Sequence, residues 1–186
     1  MQPVEGTHET GGSWLSAEGY AERMGSFTHT SFRFQALQVY GIPREQTAFR
    51  EFTQTGTYAV ARDDPRLVRL RERLTEGRRI QRVQVVVPPV SDYLWHAFVY
   101  FRHSVAAGED LRVFDTRKTS ADGLPDFDFV LLDDRTVIKL HYAVEDGSVV
   151  GRELMPDADL DVFRAYRDRA MSDSVPFSQF EAEETG

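Results

Sequence analysis

The sequence predicts an α/β (α+β) domain, a mixed sheet with a C-terminal antiparallel meander flanked by about four helices. Three observations predict it. Asp64 to Gly77 reads as a capped helix and runs directly into a Val-rich strand, which makes an α/β unit. Leu124 to Tyr142, LPDFDFVLLDDRTVIKLHY, reads as an apolar strand, an acidic turn and a second apolar strand. Asp146-Gly147, a dipeptide that accepts positive φ, then turns the chain into a third strand over Ser148–Leu154.

In chain order, residues 1–25 are rich in Gly, Thr, Glu and Ser and read as a flexible N-terminal extension, with a short helix after Ser16 and Trp14, Leu15, Tyr20 and Met24 as its anchors. Residues 26–180 form a single α/β domain and 181–186 an acidic tail. From Ser31 to Tyr40 the alternation of Phe32 and Phe34 favours a strand, while Phe34, Leu37 and Val39 leave a helix open. Pro43 suits the first turn of a helix that carries Ala48, Phe49 and Phe52 on one face and stops at Gly56. The next helix has Asp64 as N-cap, Pro65 at its first position, Leu67, Leu70 and Leu74 at helical spacing, and Gly77 for the left-handed C-terminal residue. Val83, Val85 and Val87 continue at period two until Pro88-Pro89 ends the ladder. Ser91 caps a helix with Leu94, Trp95, Phe98 and Val99 as its stripe, ending before Gly108. Leu111 to Phe114 is a short strand, and Thr116 to Gly123 a polar connection. After the meander, Pro156 and Asp157 open a helix that buries Leu160, Phe163, Tyr166 and Ala170, and the remainder docks through Val175, Phe177 and Phe180.

Composition narrows the function classes. A chain of 186 residues with 41% hydrophobic content builds one good core and is too short for two ordinary domains. The lack of cysteine removes disulfides, thiolate zinc sites and Cys nucleophiles together. No apolar run is long enough for a membrane span and the first residues carry no signal-peptide pattern, so a cytoplasmic protein is expected. A net charge of −8 argues against direct nucleic-acid binding, which phosphate neutralisation drives. The arginines between Arg62 and Arg82 alternate with Asp63, Asp64, Glu72 and Glu76, as on a solvated face laced with ion pairs.

The chemistry-bearing residues form no familiar motif. Neither a phosphate-binding glycine loop nor a Gly-x-Ser-x-Gly elbow occurs. Asp126, Asp128, Asp133 and Asp134 are hard-cation donors by type, yet two of them are ordinary turn formers, so no metal and no cofactor is expected. His96 and His103 lack a third ligand at zinc spacing. His141 and Lys139 share one face of a strand, a pair suited to phosphate or proton transfer and equally to an ordinary sheet surface. Asp92 and Tyr93 sit where a strand ends and a helix begins, the usual ligand position in open α/β sheets. Glu109 and Arg112 would line the same cleft if their strand neighbours that of Val85. The ligand-binding candidates are thus Asp92, Tyr93, Glu109, Arg112, Asp134 and His141; no catalytic residue is identified.

The segments SDYLWHAF, VAAGEDLRVF, LPDFDFVLLDDRTVIKLHY and AYRDRAMSDSVPFSQF, in this order and spacing, resemble a family of small actinobacterial proteins, a domain of unknown function often encoded beside helix-turn-helix regulators. The likeness spans roughly residues 26 to 180. A remoter similarity is to phospholipase D-like domains, whose active members place His and Lys, then Asp, on a core strand leading into an acidic turn. Here Phe127 and Phe129 stand at the His and Lys positions and only Asp134 matches, which implies the fold without the phosphodiesterase chemistry. The expected role is a non-enzymatic regulatory or interaction domain that acts with a helix-turn-helix transcription regulator, which the resemblance implies, or with another protein partner, and that binds this partner or a small ligand. The rival expectation is an enzyme of specialised metabolism acting on a small or phosphorylated metabolite.

Overall fold

The structure, a computed structural model, describes residues 13–186. Eight strands form one mixed sheet: β1 (Ser13–Trp14), β2 (Thr30–Gln35), β3 (Arg79–Val86), β4 (Asp110–Asp115), β5 (Phe129–Leu132), β6 (Thr136–Tyr142), β7 (Val149–Leu154) and β8 (Val175–Pro176). Their spatial order is β1-β7-β6-β5-β2-β3-β4-β8. β2, β3 and β4 run parallel and every other pairing is antiparallel, with β5, β6 and β7 as the expected meander.

Six α-helices accompany the sheet rather than about four: α1 (Ala17–Ser26), α2 (Gln46–Thr55), α3 (Pro65–Thr75), α4 (Asp92–Ala107), α5 (Leu160–Ser172) and α6 (Phe177–Thr185), with a 3-10 turn at Pro43–Glu45. Their punctuation is local. Asp64 accepts from Arg66 N at the start of α3, Ser91 Oγ from Leu94 N at the start of α4, and Gly56 and Gly108 take left-handed conformations behind α2 and α4. In the β5–β6 turn both Asp133 and Asp134 have positive φ, 50° and 56°, the primed geometry that follows strand twist.

Side-chain parity divides the core. Phe32, Phe34, Val83, Val85, Phe114, Phe129, Leu131 and Val137 point to the front of the sheet, where Phe163 and Ala170 of α5 cover them. At the back, Val86, Leu111 and Val113 meet Tyr93, Leu94, Phe98 and Phe101 of α4 and Phe177 and Phe180 of α6. Val130, Leu132, Ile138 and Leu140, also at the back, meet Leu15, Tyr20 and Met24.

Several boundaries depart from the sequence reading. β2 stops at Gln35, five residues before Tyr40, because the Gln38 amide takes over: it donates to Ala36 O and Val85 O and accepts from Val87 N. α5 starts at Leu160 with Asp159 as N-cap, since Met155 N still bonds Val137 O and Ala158 N turns back to Met155 O. Of the expected extension, residues 1–12 lie outside the described residues, while 13–26 form β1 and α1, with Ser16 capping the helix as its position suggests. Glu181, Glu183 and Glu184 belong to α6 and form ion pairs with Arg102, Lys118 and Arg117. Among the described residues no helix is long and apolar enough to cross a membrane.

Candidate functional site

Apart from the neighbours Asp92 and Tyr93, the six candidate residues are spread over the molecule. Asp92 is exposed at the first position of α4. Tyr93 is buried beside it, and its hydroxyl donates to Glu45 Oε2 at 2.8 Å. Glu109 lies just beyond the other end of this 16-residue helix, about 24 Å away at 1.5 Å per residue. It is buried and accepts from Arg82 Nε at 2.9 Å. Arg112 shares the front parity of Phe114 and donates to Ser174 Oγ and O at 3.1 and 2.6 Å. β3 and β4 are neighbours, with Val85 opposite Phe114, but Asp92, Glu109 and Arg112 line no common cleft. The length of α4 and the alternation of β4 set them apart.

Asp134 closes the β5–β6 turn and pairs with Arg167 of α5. It borders a front trough of about 330 Å³ with Thr30, Arg79, Gln81 and Asp168. Asp133 beside it is fully employed in structure, accepting from the backbone N–H of Thr28, His29 and Thr30 and from the Thr28 hydroxyl. Those donors hold its carboxyl down at about 2. Among the described residues no three His, Asp or Glu side chains are grouped to hold a metal ion.

His141, at the far end of β6, borders the larger groove, about 690 Å³. Its front floor is Lys139 and His141; the walls come from Leu37 and Val39, from Asp126 and Phe127, and from the β6–β7 loop, Ala143 to Gly147. Two glycines make the wall possible. Gly41 N donates to Gly147 O at 2.9 Å, and a Cβ on Gly41 would strike Asp146 O and Ser148 N, so both loops approach backbone to backbone. His141 Nε2 is held by Glu153 Oε2 at 2.8 Å, and Lys139 Nζ lies 4.2 Å from the centre of the Phe127 ring. Trp14, 64% exposed, lies against the His141 ring at 5.0 Å and across Gly151, which has no Cβ to push it away. Asp126, Glu145 and Asp146 give the groove three carboxylates against one ammonium.

Residues 18–182 match a protein family described as a domain of unknown function, DUF6879. The chain belongs to this family. No curated protein matches it. The DUF6879 match takes in most of α1 and reaches into α6, so both troughs and both layers of helices lie within it.

Two residues that the sequence offers only as metal donors by type, Asp128 and His96, are buried polar centres of this DUF6879 domain. Asp128, fully buried at the entry to β5, accepts from Ala36 N at 2.7 Å and from the Tyr40 and Tyr142 hydroxyls at 2.9 and 3.1 Å. Burial pushes its carboxyl up from the ordinary range, while those donors and the nearby Arg33 guanidinium oppose the shift. Arg33 in turn donates to the Tyr20 hydroxyl at 2.6 Å. The available signal was parity, because Asp128 shares a face with Val130 and Leu132. The second centre is His96, 1% exposed, neither of whose ring nitrogens has a hydrogen-bond partner. Phe49, Phe52, Tyr58 and Tyr93 surround its ring at centroid distances of 5.3, 5.9, 4.7 and 5.6 Å.

Proposed function

We propose that this domain is a non-enzymatic interaction domain whose groove at the end of β6 receives a basic segment of a protein partner, a helix-turn-helix transcription regulator. The observation that carries the reading is the makeup of that groove. Asp126, Glu145 and Asp146 stand against Lys139, and Val39 and Val144, 52% and 98% exposed, give it apolar edges. Carboxylates around an apolar strip complement a cationic, partly apolar chain, and the formal charge of −8 favours its approach. The choice of regulator follows the sequence resemblance and the basic character of DNA-binding modules; occupation of the groove would compete with DNA for the same cations. Catalysis finds less support: Asp134 and His141 border different troughs at the front of the sheet, while Tyr93 is buried in the core at the back.

The test is calorimetric titration of the domain with the regulator. A complex in the micromolar range is expected, weakened at high salt and by roughly tenfold in the Asp126→Lys, Glu145→Lys double variant. No heat of binding at tens of micromolar, about the weak end of specific association, would sink the reading.

One observation favours the rival, an enzyme acting on a small or phosphorylated metabolite. His141, oriented by Glu153 beside Lys139, is a carboxylate-imidazole pair able to accept a proton. That reading requires a turnover that His141→Gln abolishes without loss of stability.

A further inference from the structure

His96 poses a question that packing alone leaves unanswered. It sits on α4 between Tyr93 and Tyr100 and faces α2, where a leucine would fill the space without polar atoms. A buried imidazole with no partner costs free energy, and in the neutral ring one nitrogen is a donor and the other an acceptor, whichever tautomer is present. The polar groups around it are otherwise engaged. Tyr93 donates to Glu45; Glu45 also faces Arg66 at 3.3 Å; Arg66 bonds Asp64 and lies 4.1 Å over the Tyr100 ring. Phe49 and Phe52 meet the imidazole at steep angles, 72° and 70°, and offer only ring surface.

Tyr58 differs from these neighbours. Its ring lies nearly parallel to the imidazole, at 29°, and is half-buried. It is carried on the irregular segment between α2 and α3, which starts at Gly56 in the left-handed conformation with open space around it. Among the described residues, Tyr58, Ala59 and Val60 make no hydrogen bond; Thr57 bonds only Thr55, and Ala61 O only Asp64 N. The ring stack and the half-buried Val60 hold this part of the strap, and Arg71 Nη1 donates to Arg62 O nearer α3. A half-buried aromatic ring that makes no hydrogen bond, over a buried polar ring with nothing to bond, occupies the place of a ligand.

We propose that the slot over His96 binds a small planar aromatic molecule bearing a ring N–H or hydroxyl, and that Tyr58 is the displaceable lid filling it here. The incoming ring enters the space that Tyr58 leaves and stands edge-on to the imidazole, whose lone pair and N–H lie in its own plane. Its polar atom supplies the hydrogen bond that the lid does not make to His96, while Phe49, Phe52 and Tyr93, fixed on their helices, form the standing walls. Because the strap joins α2 to α3, its release is a local change that leaves the sheet and both troughs in place. The site lies in the back helical layer, so it stands or falls separately from the partner groove.

The experiment is a solution NMR titration of the wild-type protein, with labelled histidine and tyrosine rings, against phenol, indole and benzene. Phenol and indole should shift the His96 ring signals and move those of Tyr58 to the positions of an exposed tyrosine. Benzene, equal in shape but without the polar atom, should bind five- to tenfold more weakly, about the worth of one net hydrogen bond. Tyr58→Ala should bind phenol about tenfold more tightly than wild type, since nothing has to be displaced. Three results overturn the proposal: benzene binding as well as phenol, Tyr58 signals unmoved while His96 saturates, or no His96 shift in wild type at about 10 mM probe, beyond the weak end of useful affinity. Should Tyr58→Ala fail to fold, the comparison of probes on the wild type decides alone.

Discussion

Replacing Asp133 tests how the sheet is held at its turn. One carboxylate gathers three backbone N–H groups and a hydroxyl from residues 28–30, at 2.7 to 3.0 Å, and so ties the entry of β2 to the β5–β6 turn. Alanine removes all four acceptor contacts. On a half-buried segment that water can partly rehydrate, the loss is about 1.5–3 kcal/mol, the range for hydrogen bonds to a charged group. Alanine must also take φ of 50°, which adds about 1 kcal/mol or more. Asp133→Ala is therefore expected to lose roughly 2.5–4 kcal/mol at neutral pH. Asparagine tolerates the conformation and keeps one oxygen, so Asp133→Asn should lose about 1–2 kcal/mol. The pH dependence follows from the carboxyl standing at about 2 in the fold, below its unfolded value. Its stabilisation is complete above about pH 4 and disappears as pH falls towards 2. Urea unfolding of wild type and Asp133→Asn at neutral pH and in steps down to acid measures this directly, because other carboxylates titrate alike in both proteins. The two should converge in acid. A constant gap over that range, or an Asp133→Ala loss below about 1 kcal/mol, refutes the account.

Asp128 should behave in the opposite sense. Asp128→Ala leaves the Tyr40 and Tyr142 hydroxyls and the Ala36 N–H without their acceptor and removes the charge near Arg33, and should lose about 3–5 kcal/mol in urea unfolding. Since the fold raises this carboxyl, its ionisation weakens the wild type as pH climbs; the deficit of Asp128→Asn, which cannot ionise, should shrink between weak acid and neutrality. Glu109→Ala strands Arg82 against the Phe101 ring and should cost about 2–4 kcal/mol, with Glu109→Gln milder, by the same assay. Gly151→Ala puts a Cβ into the Trp14 ring; Trp14 fluorescence should shift towards that of a freely exposed indole, with less than about 1 kcal/mol lost because the ring is mostly solvated already.

The sequence made legible those elements whose signals lie within a few residues. α3 carries cap, proline, leucine spacing and terminal glycine in one stretch, and the meander carries its alternation and its turn residues. What escaped was settled at a distance. β2 gives way where Gln38 reaches across to Val85 and Val87, and α5 waits until Met155 has finished bonding Val137. Two-residue strands such as β1 and β8 are too short to leave a period. For the site, the condition that the strand of Glu109 and Arg112 neighbour that of Val85 is met, but Glu109 lies at the opposite end of α4 from Asp92 and Arg112 faces the front of the sheet. Tyr93, a ligand candidate for its place where a strand ends and a helix begins, is buried and forms a wall of the chamber around His96, three residues along the helix.

The same short strands govern how these molecules behave in a crowd. A sheet of eight strands has two outer borders, where bare peptide groups invite another chain to add itself. Here β1 closes β7 along Glu153 and Leu154, and β8 closes β4 along Arg112 and Val113, after which each segment turns directly into a helix. A border strand of two residues offers little ladder for an intruder to extend, and among the described residues these two cover Glu153 and Leu154 of β7 and Arg112 and Val113 of β4. Removal of either border segment would free that ladder, and the first symptom should be self-association of folded molecules before any loss of the core.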